Sequence, residues 1–187
     1  RMTKVETLAT YMGTKITGGS MVFIASSGAI SDGTATVAFT AFDASKFDHY
    51  VFMLQHLKPA SDSVGLFAQT STDGGSNFAT TNGDYHRGNG NHDSIGLKIA
   101  DSLGNASAEY GGSGKFELFA PHVTSAFTYS RAAVVYQTGA GNIVNGGISA
   151  DSAGNRNAAE DVDAIRFIFE SGNIKSGEIV MYGIANA

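Results

Sequence analysis

Residues 164–170 read Ala-Ile-Arg-Phe-Ile-Phe-Glu, and residues 178–184 read Glu-Ile-Val-Met-Tyr-Gly-Ile. In the first run, Ile165, Phe167 and Phe169 recur with a period of two, as expected for a β-strand with one inward face. The second run is partly apolar on both faces. The linker between the two runs, residues 171–177, has the length of a hairpin loop. We therefore expect the two strands to pair as a C-terminal hairpin.

The remainder of the chain repeats this plan of short apolar runs separated by clusters of Gly, Asn, Asp and Ser, which is typical of an all-β sandwich. The further candidate strands are residues 21–25, 34–39, 49–57, 64–70, 95–100, 115–120 and 127–136. The pattern predicts an all-β antiparallel β-sandwich formed by one domain, residues 21–187, and the jelly-roll-like form of that sandwich is implied only by the family resemblance given below. A short N-terminal arm, residues 1–20, precedes this domain. Residues 4–12 of the arm fit either a short helix or an ordered extended segment.

Composition excludes several classes of protein. The 187 residues carry a net charge of −5 and contain no basic run, so we expect no nucleic-acid partner. No apolar run approaches the roughly 18–20 residues of a membrane span, and the first residues lack the apolar core of a signal peptide. We therefore expect no insertion into a membrane. The absence of cysteine excludes a disulfide framework and a thiolate metal site.

Two segments are long enough to be functional loops, residues 80–94 and residues 137–163. The first contains His86, Arg87 and His92 with aspartates nearby, and such a cluster can ligate a divalent cation. The spacing of the two histidines matches no familiar ligand pattern, so a solvated loop is the alternative. Residues 151–163 offer several oxygen ligands for calcium but lack the order of an EF-hand, and they fit a polar loop with at most one turn of helix. We assign no metal and no cofactor.

Residues 71–78, Ser-Thr-Asp-Gly-Gly-Ser-Asn-Phe, form the sharpest local motif. It resembles the Asp-box, a hairpin motif of sialidases and other β-proteins that has a structural role. We expect Asp73 to accept backbone N–H bonds across the turn and Gly74 and Gly75 to supply positive φ angles. Ser71 matches the first position of the box, and Phe78 is expected to pin the turn to the core.

The sequence shows no arrangement that supports catalysis. There is no Gly-x-Ser-x-Gly elbow, and no pair of carboxylates stands in a distinctive setting. We therefore expect that the protein is not an enzyme. Aromatic side chains can line sugar-binding grooves, although a tyrosine on a strand more often belongs to a core or an interface. The tyrosines considered for such a groove are Tyr85, Tyr110, Tyr129 and Tyr136. The residues assigned to contact a glycan or a partner protein are Tyr85, His86, Arg87, His92 and Tyr110.

Four motifs together resemble a family of small structural proteins from tailed bacteriophages, common among marine phages. The motifs are Thr34-Ala-Thr-Val-Ala-Phe-Thr40, then residues 47–62 from Phe-Asp-His-Tyr-Val-Phe to Leu-Lys-Pro-Ala-Ser-Asp, then residues 71–78, and finally residues 165–184 with Ser171-Gly-Asn-Ile174 and Met181-Tyr-Gly-Ile184. The last motif is the most specific. The similarity extends over about residues 20–187.

The resemblance implies a jelly-roll or β-sandwich module of a capsid decoration, head fibre or tail appendage, with no catalytic residues. It leads us to expect a self-associating virion protein, a trimer by analogy, that contacts the major capsid or tail proteins of its particle. The N-terminal arm is the natural docking segment, and the two long loops are expected to carry contacts with other subunits or with the host. The alternative is a carbohydrate-binding or receptor-binding module that recognises a glycan on the host surface.

Overall fold

The computed structural model describes residues 20–88, 91–145 and 153–186, and these residues form thirteen β-strands without a helix. Both the expected arm, apart from Ser20, and the helix considered for residues 4–12 lie outside the described residues. The described residues accordingly contain no helix long and apolar enough to cross a membrane. The strands are β1 Met21–Ser26, β2 Val37–Phe39, β3 Phe47–Pro59, β4 Val64–Ser71, β5 Tyr85–Arg87, β6 His92–Asp93, β7 Leu97–Leu103, β8 Gly112–Phe119, β9 Tyr129–Gln137, β10 Ile143–Asn145, β11 Ala153–Arg156, β12 Ala164–Phe169 and β13 Ile174–Ala185.

The strands form two antiparallel sheets that pack against each other, so the expected all-β sandwich is confirmed. The large sheet has nine strands in the order β1-β13-β3-β8-β9-β11-β5-β6, with β10 also paired to β9. The small sheet has four strands in the order β2-β12-β4-β7. Each of the nine strands predicted from the sequence is present, with ends that differ by a few residues.

The core between the two sheets is built around four phenylalanine rings. Phe52 and Phe116 come from the large sheet, and Phe39 and Phe167 come from the small sheet. The centroid of the Phe167 ring lies 5.2 Å from that of Phe52 and 5.9 Å from that of Phe116. Phe52, Phe116 and Phe167 are fully buried. The period-two alternation in residues 164–170 therefore marks the inward face of β12, as the sequence predicts.

The prediction that the last two strands form a hairpin is wrong. Strand β12 pairs with β2 and β4 in the small sheet, whereas β13 pairs with β1 and β3 in the large sheet. The turn at residues 171–173 therefore carries the chain from one sheet to the other. Strand β13 lies between β1 and β3 and is apolar on both faces: Ile179 and Met181 face the core, and Val180 lies on the opposite side.

The interpretation of residues 80–94 and 137–163 as loops is only partly right. The first segment contains β5 and β6, and the second contains β10 and β11. These short strands lack apolar alternation because they are held by backbone pairing at the margin of the large sheet. Gly154 shows the tight fit, since a Cβ atom at this position would lie 2.6 Å from the carbonyl oxygen of His86. Glycine, which sequence reasoning reads as a sign of a loop, here permits close approach of two strands.

We expect Phe167→Ala to destabilise the fold by about 3–5 kcal/mol, since it removes a buried ring that contacts both sheets. Chemical denaturation monitored by circular dichroism measures this change. Phe23→Ala is the matched control because the Phe23 side chain is 60% exposed, and it should cost much less. Equal losses for the two variants would contradict the position assigned to the core.

Candidate functional site

The outer face of the large sheet, which points away from the small sheet, is the candidate functional surface. Along β9, Ala132 and Val134 face the core, whereas Tyr129, Arg131 and Val135 point outward. The registers of β8, β3, β13 and β1 extend this alternation across the sheet, because directly paired residues of adjacent strands share a face. One cross-strand row on the outer face is Met21, Ile184, His49, Phe119 and Tyr129.

Exposed apolar side chains concentrate on this outer face. Met21 and Phe23 on β1 are 53% and 60% exposed, and Tyr129 and Val135 on β9 are 57% and 50% exposed. Half-buried side chains fill the space between these two strands: Tyr182, Ile184, Met53 and Phe119. Exposed apolar side chains grouped on one face are typical of interaction surfaces.

A buried ion cluster lies in the middle of the outer face. The carboxylate of Glu117 is almost fully buried and accepts hydrogen bonds from Arg131 Nη2 at 2.6 Å and from Lys115 Nζ at 3.2 Å. Burial raises the pKa of Glu117, but these two cations outweigh it and hold the pKa below its usual value. The two cations thus neutralise the buried carboxylate of Glu117, and the exposed parts of the Arg131 and Lys115 side chains face solvent.

His49 adds a neutral aromatic ring to the same face. Its ring stacks on Phe119 with centroids 4.4 Å apart. Burial lowers the pKa of His49, and the opposing effect of Glu117, whose Oε1 lies 3.6 Å from His49 Nε2, does not restore it. His49 is therefore uncharged at neutral pH and behaves as part of the apolar surface.

The outer face of the small sheet has a different character. Arg166 Nε donates a hydrogen bond to Gln69 Oε1 at 2.7 Å, and the guanidinium lies 4.3 Å from the centroid of the Phe78 ring. Phe67, on the same side, is 2% exposed. Polar side chains thus cover the apolar groups of this face, whereas those of the large sheet remain uncovered.

A depression of about 490 Å³ borders the outer face near Tyr110. Tyr110 is 73% exposed and packs edge-on against His56, with ring centroids 4.3 Å apart. Polar groups around the depression include Gln55, Lys58 and Glu178. Lys58 Nζ donates to two backbone carbonyls, which orders the segment that carries Tyr110. This arrangement offers a flat aromatic ring beside hydrogen-bonding side chains.

Tyr85, assigned from the sequence to contact a glycan or partner, is instead a core residue. Its side chain is fully buried, and its hydroxyl accepts a hydrogen bond from Thr70 N at 2.9 Å and donates one to Ala79 O at 3.0 Å. Burial raises its pKa. Tyr136, the other strand tyrosine considered, is also buried. Of the tyrosines considered for a groove, Tyr110 and Tyr129 remain accessible.

The structure brings His86, Arg87 and His92 together on β5 and β6. His86 is paired directly with His92 across the two strands, and Arg87 forms an ion pair with Asp93. Asp84, the other aspartate of this segment, pairs with Arg156 at 3.0 Å. The described residues contain no group of three or more His, Asp or Glu side chains placed to hold a metal ion.

The oxygen ligands considered for calcium in residues 151–163 point to separate partners. Glu160 pairs with Arg156 at 2.7 Å, Asp161 pairs with His122 at 2.8 Å, and the Asn157 side chain donates to Gly83 O. Asp151 lies outside the described residues. The described members of the set therefore do not converge on one cation.

A hydrogen-bonded chain of Tyr50, His122 and Asp161 was not found by sequence reasoning. Tyr50 Oη lies 3.0 Å from His122 Nε2, and His122 Nδ1 lies 2.8 Å from Asp161 Oδ1. The order of hydroxyl, imidazole and carboxylate resembles that of an activated nucleophile. However, Tyr50 is fully buried, and burial raises its pKa to about 12. The chain therefore ties β3 to two connecting segments. Its members are too far apart in sequence to form a motif.

The Asp-box-like turn has the local hydrogen bonds that its sequence predicts. Asp73 Oδ1 accepts the Asn77 N–H at 2.8 Å, and Ser71 Oγ donates to Asp73 Oδ1 at 2.7 Å. Gly74 and Gly75 have φ angles of +70° and +86°. The expectation that Phe78 pins the turn to the core is wrong: its ring is half-buried against Arg166, on the outer face of the small sheet, and does not pack against the core. The turn returns the chain to β4 through one backbone bond, and the next strand, β5, lies in the other sheet.

No protein-family model matches the chain, and comparison with curated proteins and with solved structures finds no protein similar to it.

We expect Asp73→Ala to lower stability in a pH-dependent way. Hydrogen bonds from the Asn77 backbone, the Asn77 side chain and the Ser71 hydroxyl lower the pKa of Asp73 from 3.8 to about 2. A lowered carboxyl pKa stabilises the folded state above the unfolded value and loses this effect as pH falls. The difference in melting temperature between wild type and variant should therefore be full above pH 3.8 and should shrink towards pH 2.

Thermal unfolding at several pH values measures this difference, with Asp32→Ala as the control at an exposed aspartate of another turn. A difference for Asp73→Ala that stays constant down to pH 2 would show that the carboxylate charge does not hold the turn.

Proposed function

We propose that the protein is a non-enzymatic structural protein of a tailed-bacteriophage particle that self-associates through the outer face of its large sheet. The observation that carries the proposal is the set of exposed apolar side chains on that face, above all Phe23 and Tyr129. The four sequence motifs that resemble small phage structural proteins support the proposal that the particle is a tailed bacteriophage. The occupant of the face is a second copy of the same chain.

Two properties of the outer face favour self-association: its exposed apolar area and the rigidity of the sheet that carries it. Burial of apolar surface contributes about 25 cal/mol per Å², and four half-exposed large side chains leave much such surface in water. A sheet face is also rigid, so that little side-chain freedom is lost when it binds. Phe23, for example, already packs edge-on against Tyr182 with centroids 6.0 Å apart. Association through this face would therefore gain burial at a low ordering cost.

The proposed assembly is a trimer, by analogy with small β-modules that stand on three-fold axes of virions. On the particle the trimer would contact the major capsid or tail proteins and so belong to the virion. With no disulfide available, association would also stabilise the module outside the cell, because binding of folded copies shifts the folding equilibrium.

We expect the purified protein to have a mass of about 58 kDa by size-exclusion chromatography with light scattering, three times the 19.4 kDa of one chain. The double variant Phe23→Ser, Tyr129→Ser should elute as a 19.4 kDa monomer, because polar side chains remove the apolar contact. Ile168→Ser, on the outer face of the small sheet, is the matched control and should keep the wild-type mass.

A wild type that stays monomeric at every concentration would contradict self-association through this face. Mass spectrometry of purified phage particles whose genome encodes the chain tests separately whether the protein belongs to the virion. Absence of the chain from such particles would contradict a virion role even if the trimer forms.

A second candidate function, carbohydrate binding, is favoured by the depression beside Tyr110. An exposed tyrosine ring can stack on a sugar. The hydroxyl groups of the sugar can form hydrogen bonds with Gln55, Lys58 and Glu178. We expect binding on a glycan array to be lost in Tyr110→Ala and kept in Tyr129→Ala. The reverse result, or binding that both variants keep, would contradict a sugar site at this depression.

A further inference from the structure

His86 and His92 form a directly opposed pair on the hairpin of β5 and β6. His86 Nε2 lies 3.2 Å from His92 Nδ1, and the ring planes are 77° apart with centroids separated by 4.3 Å. In the metal-free protein, one nitrogen donates its N–H to the lone pair of the other. Two imidazole nitrogens held this close on paired strands are also suited to bind a cation in common.

The separation of the two nitrogens agrees with zinc coordination. Zinc–nitrogen bonds of 2.0–2.1 Å in tetrahedral geometry place two ligand nitrogens about 3.4 Å apart. We propose that His86 Nε2 and His92 Nδ1 bind one Zn²⁺ ion and that water fills its remaining positions. Zinc replaces the shared hydrogen: the donor ring shifts to its other tautomer, and small rotations of both rings turn the two lone pairs towards the metal.

The two strands that carry the pair are fixed independently of the histidines. Tyr85, next to His86, is anchored in the core, and Asp93, next to His92, is 5% exposed. Arg87 bridges the strands through its ion pair with Asp93, whose other carboxylate oxygen accepts the Ile95 N–H at 2.7 Å. The histidine positions are therefore pre-organised, which reduces the entropy lost when a metal binds.

Gly83 lies beside His92, where a Cβ atom would be 3.4 Å from His92 Nδ1, at ordinary van der Waals contact. Gly83 has a φ angle of +93°, which favours glycine at the position. His92 itself is exposed, so water and ions can reach the pair.

The neighbouring aspartates are engaged in ion pairs, so the two imidazoles are the protein ligands of the metal. Asp84 and Asp93 are each paired with an arginine, Arg156 and Arg87 respectively. The other histidines are occupied or distant: His122 uses both ring nitrogens, and His49 lies beside Lys115 and Arg131. With two protein ligands, the affinity should be moderate, and the metal is not required for folding. The proposal is independent of the virion function.

Isothermal titration of the full chain with ZnCl₂ tests the site. We expect one equivalent of zinc to bind to the wild type, and affinity to fall roughly tenfold or more in His86→Asn and in His92→Asn, since each loses a ligand. His56→Asn is the matched control, because His56 is an exposed histidine outside the pair whose φ of +51° asparagine tolerates well. It should keep wild-type affinity.

Nitrogen NMR of the histidine side chains supplies a readout that does not depend on the variants. Zinc should shift the resonances of His86 Nε2 and His92 Nδ1 and leave those of His122 in place. Absence of a bound equivalent, or binding that neither variant weakens, would overturn the proposal. A shift confined to other histidines would overturn it as well, even if the variants fail to fold.

Discussion

The contact of Phe52 with Phe167, whose ring centroids are 5.2 Å apart, joins the two sheets at the centre of the protein. Each ring belongs to a central strand, β3 or β12, so this contact sets which face of each sheet is buried. Once that choice is made, alternation assigns the other side chains along each strand to the inner or the outer face of its sheet. The exposure of Phe23 and Tyr129 on the far side is a direct consequence, since both lie on the outward register of their strands.

The two outer faces differ because their apolar residues have different neighbours. On the small sheet, the long side chain of Arg166 lies over Phe78 and bonds to Gln69, so a polar layer covers the apolar groups. On the large sheet, Arg131 and Lys115 bond to Glu117, and Phe23 and Tyr129 remain more than half exposed. The same kinds of residues thus produce a sealed face in one sheet and an open apolar face in the other.

The sequence carries enough information for the strands and the fold class but not for all of the pairing. Alternation in residues 164–170 predicts β12 correctly, because burial against the other sheet requires it. The crossing at residues 171–173 could not be predicted, since a short turn can close a hairpin or change sheets. Likewise β11 could not be predicted, because its glycine and asparagine are held by backbone pairing and show no apolar alternation.

The candidate surface and the histidine pair depend on register, which explains what sequence reasoning missed. Met21 and Tyr129 are far apart in the chain and share a row only because β13, β3 and β8 lie between them. His86 and His92 match no ligand spacing, yet the hairpin places them opposite each other. Tyr85 looked like an exposed aromatic in a polar loop, but its strand faces the core.

Strand β13 lies between β1 and β3, which precede it by more than a hundred residues in the chain. Pairings with such long sequence separation form slowly, because much chain entropy is lost before the contacts repay it. Phe23 gains its neighbour Tyr182 only when β13 is in place. The outer face is therefore complete only when the last strand of the chain has joined β1 and β3.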